Sequence, residues 1–198
     1  MANHPNAIAF QGDACIASGE LSAVALAVKK AATRPGHDAI LVFNAVTSEP
    51  IDLDLRGSRE DVLRRLPAPT SMLRKPEAPR GPGRPKLGVV AREVTLLPRH
   101  WDWLASQPGG ASVALRKLVE HAGRSSVGKD RVRAAQNATY RFMSAMAGDR
   151  TGFEDAARAL FAGDGDTFGK LVSAWPVDIR SHITSLASDA LQAKETAA

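Results

Sequence analysis

Arginine and lysine side chains are concentrated in one stretch of this 198-residue chain, between Arg64 and Lys86. The stretch holds seven basic residues and one acid, Glu77, a local net charge of +6, whereas the whole chain has a net charge of +5. The basic residues are Arg64, Arg65, Arg74, Lys75, Arg80, Arg84 and Lys86. Cationic groups at this density favour polyanions, because they displace the counterions condensed on phosphates. The charge pattern therefore predicts nucleic-acid contact at this stretch.

Residues 80–86 of this stretch resemble an AT-hook, an extended Arg-Gly-Arg-Pro arm that enters the narrow minor groove of A·T-rich DNA. Here Pro82 and Gly83 separate the two halves of the motif, so its arginines stand farther apart. Arg80, Arg84 and Lys86 are the candidate contacts to the DNA backbone or minor groove. The alternative is a solvated basic linker, since the prolines of this region prevent a helix and keep the chain extended.

The next stretch, residues 94–119, resembles a ribbon-helix-helix unit, in which strands of two chains pair and enter the major groove. A strand ending in Leu-Pro, a Gly-rich turn and a serine before the second helix carry the likeness. It implies that Ser112 caps the second helix and faces a phosphate. It also makes Arg92, Thr95 and Arg116 candidate DNA contacts, and predicts a homodimer through the segment from Val94 to Val119.

The predicted ribbon strand departs from that pattern, because Val94, Leu96 and Leu97 are apolar and leave few polar groups to read bases. The alternative is a strand and a helical hairpin that pack on the chain's own domains. Trp101 and Trp103 stand two positions apart and cannot share a helix face. We expect one indole to be buried and the other to lie exposed, as at a partner surface.

Residues with catalytic or ligand-binding chemistry do not form a recognisable constellation in the sequence. Residues 123–130 imitate a phosphate-binding P-loop, but Asp130 replaces the required Ser or Thr and no strand precedes them, so they are interpreted as a loop. The five histidines stand singly, without the spacing of metal ligands. Cys15 is interpreted as a small core residue. We therefore expect no enzyme activity, no cofactor and no metal site.

Hydrophobic periodicity predicts an α+β fold that begins with a small α/β sandwich of order β-β-α-β-β-α. Alternating or continuous apolar runs predict strands at residues 7–11, 14–18, 40–43 and 51–55. Gly12 and Asp13 form the predicted hairpin turn. Helical patterns follow the second strand and Ser58, where Asp61 is placed for a capping box.

The residue pattern of the C-terminal third predicts a bundle of about four short helices. These begin with residues 130–147, and the next helix is expected to be capped by Thr151 and stopped by Gly163. Asp164 or Asp166 is expected to cap the helix that follows. The predicted organisation is an N-terminal α/β domain (1–66), a basic Pro/Gly-rich linker (67–91), a ribbon-helix-helix-like unit (92–124) and a helical domain (125–198).

The composition sets limits on the compartment. The single cysteine excludes an intrachain disulfide framework and agrees with a reducing environment. No stretch approaches the roughly 18 apolar residues of a membrane span. We therefore expect a cytoplasmic protein with no membrane association.

Three passages carry a resemblance at nearly full length: GRPKLGVVAREVTLLPRHWDWL at 83–104, YRFMSAMAGD at 140–149 and IDLDLRG at 51–57. The chain is similar in these passages to an uncharacterised bacterial family, domain of unknown function 2239. The resemblance implies a bacterial cytosolic protein and brings no activity with it.

Two functional hypotheses remain open. The first is a DNA-binding protein, a transcriptional regulator or nucleoid-associated factor, whose basic arm holds double-stranded DNA. The alternative is a protein-interaction adaptor in which the basic segment only joins the flanking domains.

Overall fold

The computed structural model describes residues 6–33, 38–67, 90 and 92–191. The fold is α+β, as predicted, with a three-stranded antiparallel sheet near the N-terminus and helices in most of the remaining described chain. The chain divides into two compact units. Unit 1 consists of residues 1–73 and 129–198, and unit 2 consists of residues 74–128.

The sheet of unit 1 consists of β1 (Asn6–Gln11), β2 (Ala14–Glu20) and β3 (Ile40–Asn44), with β1 in the centre. The predicted β1–β2 hairpin is confirmed. Gly12 has φ +54 in its turn, and a Cβ there would lie 2.7 Å from the carboxylate of Asp38. The turn therefore needs glycine for its backbone conformation, and the exposed Asp38 side chain would have to shift to admit a Cβ.

The two faces of β1 enter different cores. Ala7 and Ala9 face α1 (Leu21–Ala32), whose buried residues include Leu21 and Val24. Side chains of the other face join a cluster built mainly from the later helices. Because successive side chains of a strand alternate, one six-residue strand contributes to both cores.

The prediction of a fourth strand at residues 51–55 is wrong. The only pairing found there among the described residues is an isolated bridge between Phe43 and Pro50, extended by a 2.8 Å bond from the Ile51 amide to the Val42 carbonyl. Leu53 and Leu55 still pack against the core beneath α1.

Side chains bind the backbone of this segment in place of a neighbouring strand. The Lys29 ammonium donates to the carbonyls of Leu55 and Gly57, both at 2.7 Å. Arg65 lies in α2 (Arg59–Arg65) and contacts the carboxylate of Asp54 at 2.5 Å. Alternation in the sequence predicted a strand here, but it could not predict that side chains would bind the carbonyls of this segment.

Helix caps of unit 1 agree in part with the predictions. Ser58 and Asp61 form the predicted capping box of α2. Gly163 ends α5 (Phe153–Ala162) with φ +67, and Asp164 caps α6 (Gly165–Val172) through a 3.1 Å bond from the Thr167 amide. The expected cap Thr151 is wrong: the N-cap position of α5 is Gly152, in a left-handed conformation that glycine adopts readily.

An aromatic cluster joins the sheet to the helices in unit 1. Phe142 lies in the C-terminal half of α4 (Gly110–Ala147), with its ring centroid 5.2 Å from that of Phe10 and 5.3 Å from that of Phe43. All three rings are buried. His182, in α7 (Val177–Leu191), packs edge-on against Phe142 at 4.6 Å. The strands and the C-terminal helices thus share one core.

Unit 2 contains α3 (Pro98–Ser106) and the N-terminal part of α4. Residues 92–97 precede α3 in an irregular conformation, and no sheet pairing joins them to other described residues, so the predicted strand at 94–97 is not observed. The predicted loop at 123–130 is also wrong, because these residues lie inside α4. Gly123 and Gly128 each cost a helix only about 1 kcal/mol relative to alanine, which the long surrounding helix outweighs.

Candidate nucleic-acid interface

Local sequence signals position α3. Pro98 occupies the first turn, where its missing N–H costs no hydrogen bond. At the other end the Ser106 hydroxyl donates to the Trp103 carbonyl at 2.7 Å, and the Gln107 side chain donates to the same carbonyl at 3.2 Å. These bonds satisfy backbone groups that the helix itself leaves unpaired.

A glycine pair turns the chain from α3 into α4. Gly109 and Gly110 have φ +87 and +72, and a Cβ on Gly109 would lie 3.1 Å from the Val113 side chain. Leu104 of α3 and Ala114 of α4 are buried in this unit. A glycine pair thus joins two helices here, but the strand of the ribbon-helix-helix resemblance is not observed and the resemblance is not confirmed.

The two tryptophans of α3 are both exposed, Trp101 at 40% and Trp103 at 51% of its surface. The expectation that one of them would be buried is wrong for the single chain. Leu104 supplies the buried contact of α3 instead. Unit 2 therefore presents two indoles to solvent.

Ser112 and Arg116 are brought together one turn apart on α4. Ser112 is not the helix cap, because α4 already begins at Gly110. The Arg116 Nε donates to the Ser112 carbonyl at 3.1 Å, and both residues are exposed. Ser112 lies in the first turn of α4, where free backbone N–H groups favour an anion, and Arg116 lies in the second turn.

The other predicted contacts are placed less closely. Arg92 and Thr95 are exposed on the segment before α3, and no hydrogen bond or ion pair between described residues joins them to Ser112 or Arg116. Arg80, Arg84 and Lys86, with the AT-hook-like arm, lie outside the described residues. Four of the seven predicted site residues therefore lie within the described residues, and two of these four, Ser112 and Arg116, are in contact.

A series of basic side chains along α4 escaped the sequence reasoning. The helix carries seven basic residues and only the acids Glu120 and Asp130. All seven are exposed: Arg116, Lys117 and Arg124 in unit 2, and Lys129, Arg131, Arg133 and Arg141 in unit 1. A count of charge over residues 110–147 would have found this series, but the sequence had been divided by an expected loop at 123–130.

Acids offset part of this charge. In unit 2, Arg124 lies 3.9 Å from Glu120. In unit 1, Arg131 lies 3.5 Å from Asp189, and Arg133 lies 3.5 Å from Asp130. Exposed pairs of this kind are worth little, so phosphate can compete for the arginines. Within the described ranges, no acid pairs with Arg116 or Lys117, which are the best-placed cations of unit 2.

Unit 1 also contains a cleft of about 520 Å³ between α4, α7 and the loop at 45–49. Ala134 and Ala138 contribute its small apolar floor, and its rim carries two arginines and two acids. The Arg141 guanidinium donates to the Thr47 carbonyl at this rim. The balanced charge of this rim gives the cleft no preference for an anion.

Two partly buried titratable groups of unit 1 have shifted pKa values. Burial lowers the pKa of His182, and burial raises the pKa of the Cys15 thiol, with smaller influences from Ala17 and Asp178. The Cys15 Sγ donates weakly to the Ala17 carbonyl at 3.8 Å. A thiol with a raised pKa is a poor nucleophile, which agrees with a structural role for Cys15.

The described residues contain neither a metal cluster nor a membrane-spanning helix. There, no group of three or more His, Cys, Asp or Glu side chains is arranged to hold a metal ion. In the same ranges, no helix combines the length and apolar character needed to cross a membrane.

Comparison with known proteins places the chain in one family. A family described as an uncharacterized protein conserved in bacteria, DUF2239, matches residues 6–187. Neither the curated proteins nor the solved structures gave a match to the chain. The family match covers most of the sequence and both compact units. This protein therefore belongs to the bacterial family DUF2239.

Proposed function

We propose that this protein binds double-stranded DNA without catalysing a reaction, as a transcriptional regulator or nucleoid-associated factor. The observation that carries the proposal is the exposed basic series of α4, seven cations against two acids on one helix. It adds to the net charge of +6 between Arg64 and Lys86. Positive side chains in such numbers supply the sequence-independent part of DNA affinity.

The basic arm and unit 2 have different roles in this proposal. Arg80, Arg84 and Lys86 hold the DNA backbone or minor groove in the manner of an AT-hook. Arg116 and Ser112 offer a phosphate a guanidinium near a helix N-terminus. Val94 and Leu97 are exposed and apolar, so the ribbon-like segment contributes to a homodimer through residues 94–119 more than to base reading.

A salt titration of duplex binding tests the proposal. Fluorescence anisotropy at low salt should show binding that weakens steeply as salt rises, because each phosphate contact contributes about 0.9 to the slope of log K against log salt. Alanine at Arg80, Arg84 and Lys86 together should reduce that slope by about 2 to 3. Alanine at Arg59, Arg158 and Lys170 is the control, since it removes the same charge from exposed positions of unit 1.

Two results would remove the proposal. One is the absence of duplex binding at low salt. The other is an equal loss of affinity in the arm variant and in the control, since net charge alone would then account for the binding.

A protein-interaction adaptor is the second candidate, and the cleft of unit 1 favours it. Its volume of about 520 Å³ and its small apolar floor suit a partner's side chains better than a phosphate backbone. Pulldown after nuclease treatment that recovers one stoichiometric protein, lost on Ala138→Arg, would support the adaptor. DNA-dependent recovery would contradict it.

A further inference from the structure

The cleft of unit 1 follows the groove between two antiparallel helices. Arg131 of α4 lies 3.5 Å from Asp189 of α7, and the Phe142 ring lies 4.6 Å from the His182 ring. Because the later residue of α4 contacts the earlier residue of α7, the two helices run in opposite directions. The residues from Arg131 to Arg141, which both line the cleft, span about 15 Å of helix. The cleft is therefore elongated.

A strained loop closes one end of this cleft. Ser48 is fully buried and has φ +55, and no other non-glycine residue of the described ranges has a positive φ. Its neighbours Thr47 and Glu49 are exposed, and both line the cleft. The Asn44 side chain fixes the loop by accepting bonds from the amides of Val46 and Thr47, at 2.9 and 3.0 Å. Residues held in the left-handed conformation cluster at ligand sites, because the surrounding structure must hold them there.

Two oppositely charged side chains meet at Thr47, at the loop end of the cleft. The Arg141 guanidinium donates to the Thr47 carbonyl, and the Thr47 hydroxyl donates to the Glu49 carboxylate at 3.2 Å. Among the described residues, neither charged group forms an ion pair, whereas Arg131 at the other end is paired with Asp189. One cation and one anion are therefore within reach of a single small ligand.

The cleft continues from these charges over an apolar floor. Ala134 and Ala138 of α4 and Leu186 of α7 line it, and Val46 of the loop is 71% exposed. Its volume of about 520 Å³ lies within the roughly 300–1,000 Å³ of small-molecule sites. An apolar group can therefore lie along the floor while the charged end of the same ligand lies beside Thr47.

We propose that this cleft binds a free amino acid with a large apolar side chain. The ligand carboxylate accepts N–H groups of Arg141 that the Thr47 carbonyl leaves unused. The ligand ammonium donates to the Glu49 carboxylate, and the apolar side chain covers Val46 and the alanines of the floor. A ligand with both charges matches a rim that favours neither sign. The proposal does not depend on DNA binding, because the ligand is titrated into the protein without DNA.

Isothermal titration calorimetry of the full chain with L-leucine and L-phenylalanine tests the site, and we expect saturable binding. Isocaproate is leucine without its amino group, and isoamylamine is leucine without its carboxylate. Each should bind about tenfold more weakly than L-leucine or worse, because one charged group of the protein loses its partner. Glycine keeps both charges and should also bind at least about tenfold more weakly, since it covers no apolar floor.

Conservative substitutions assign the two charged contacts. Arg141→Gln should weaken L-leucine binding about tenfold or more, the loss of a charge-assisted contact. The same substitution should not weaken binding of isoamylamine, which has no carboxylate. Glu49→Gln should weaken L-leucine binding likewise and should not weaken binding of isocaproate. Equal losses for all ligands would show that the variants disturb the cleft as a whole and would contradict these contacts.

Filling the cleft provides a test that does not depend on charge. Ala134→Trp introduces an indole at an exposed lining position and should abolish L-leucine binding. The matched control is Ala162→Trp, at an exposed alanine of α5 outside the cleft, which should bind as the wild type does. Circular dichroism should show both variants folded, because neither alanine is buried.

Three results would overturn the proposal. One is the absence of binding of both L-leucine and L-phenylalanine. Another is binding of isocaproate or isoamylamine as tight as that of L-leucine. The third is L-leucine binding by Ala134→Trp that equals binding by Ala162→Trp.

Discussion

The backbone amide of Cys15 donates a 2.9 Å hydrogen bond to the Oδ2 of Asp178, joining residues 163 positions apart in the chain. Cys15 lies in β2, and Asp178 lies in the first turn of α7. The carboxylate thus satisfies a partly buried donor of the edge strand and also stands where a helix N-terminus favours negative charge. The Asp178 side chain thus joins α7 to the N-terminal sheet.

Replacing Asp178 tests this fastening. We expect Asp178→Ala to lower the free energy of unfolding by about 1–3 kcal/mol, since it leaves the Cys15 amide without its acceptor. Asp178→Asn keeps an acceptor oxygen and should lose less. Urea unfolding followed by circular dichroism measures both. An alanine variant as stable as the wild type would show that water replaces the carboxylate.

Replacing Ser48 should stabilise the protein. Ser48 is fully buried, has φ +55, and its hydroxyl has no hydrogen-bond partner among the described residues. Ser48→Gly removes both the left-handed strain, about 1–2 kcal/mol, and the unsatisfied hydroxyl, against a smaller entropic cost of glycine. We expect a net gain of about 1 kcal/mol in the free energy of unfolding.

Ser48→Ala separates the two causes, because alanine removes the hydroxyl and keeps the strain. Thermal unfolding should rank the glycine variant above the alanine variant. The reverse order would show that the backbone strain at this position is negligible.

Acidification should destabilise unit 1 through His182. Burial lowers its pKa in the folded state below the ordinary value of 6.5, so the unfolded chain binds the proton more readily. The contribution of His182 is therefore present above pH 6.5 and is lost as the pH falls from 6.5 toward the folded-state pKa. Asp54 remains ionised in this window, because hydrogen bonds from Arg56 and Arg65 lower its pKa further.

His182→Phe should flatten this pH dependence, since phenylalanine can pack with Phe10 and Phe142 and takes up no proton. Urea unfolding at about pH 7.5 and about pH 5 brackets the imidazole titration. The exposed His121 of α4, replaced by Gln, controls for the loss of one histidine. An unchanged loss of stability in His182→Phe would assign the effect to other groups.

Two glycines of α4 should respond oppositely to alanine. Gly128 lies inside the helix with open space around it, so Gly128→Ala should stabilise α4 by about 1 kcal/mol. Gly110 has φ +72, and Gly110→Ala should destabilise by about 1–2 kcal/mol because alanine resists that conformation. Helical circular dichroism during heating distinguishes them. Equal effects would contradict a continuous helix that begins at Gly110.

Charge removal on unit 2 should weaken DNA binding uniformly. We expect alanine at Arg116 and Lys117 to lower the salt slope by about 2, the loss of two phosphate contacts, without changing sequence preference. Alanine at Arg158 and Lys170 of unit 1 is the control. Anisotropy with two unrelated duplexes checks the uniformity. A loss confined to one duplex would indicate base contact instead.

Part of the candidate interface was predictable from sequence. The positive charge at residues 64–86 and the exposed positions of Arg92 and Arg116 follow from residue type. The basic series of α4 was missed because Gly123 and Gly128 were interpreted as loop residues. Whether a glycine interrupts a helix depends on the free energy of the whole helix, which a local pattern does not contain.

Local interactions determined the features that the sequence alone predicted correctly. The Gly12 turn, the capping box of Ser58 and Asp61, and the helix stop at Gly163 each involve residues within a few positions of one another. Their geometry depends on backbone conformation and short-range hydrogen bonds, so the order of residues is sufficient. The membership of the chain in its family is likewise a property of the sequence.

Only the tertiary structure decided which distant groups meet. Phe10, Phe43 and Phe142 are all apolar and could each have packed elsewhere, yet the chain path brings their rings within about 5 Å of one another. The fold also places Lys29 and Arg65 beside residues 51–57. Their side chains bind this segment in the place of a fourth strand. Such pairings depend on the relative positions of whole elements, because burial rewards any apolar contact and specifies no partner by itself.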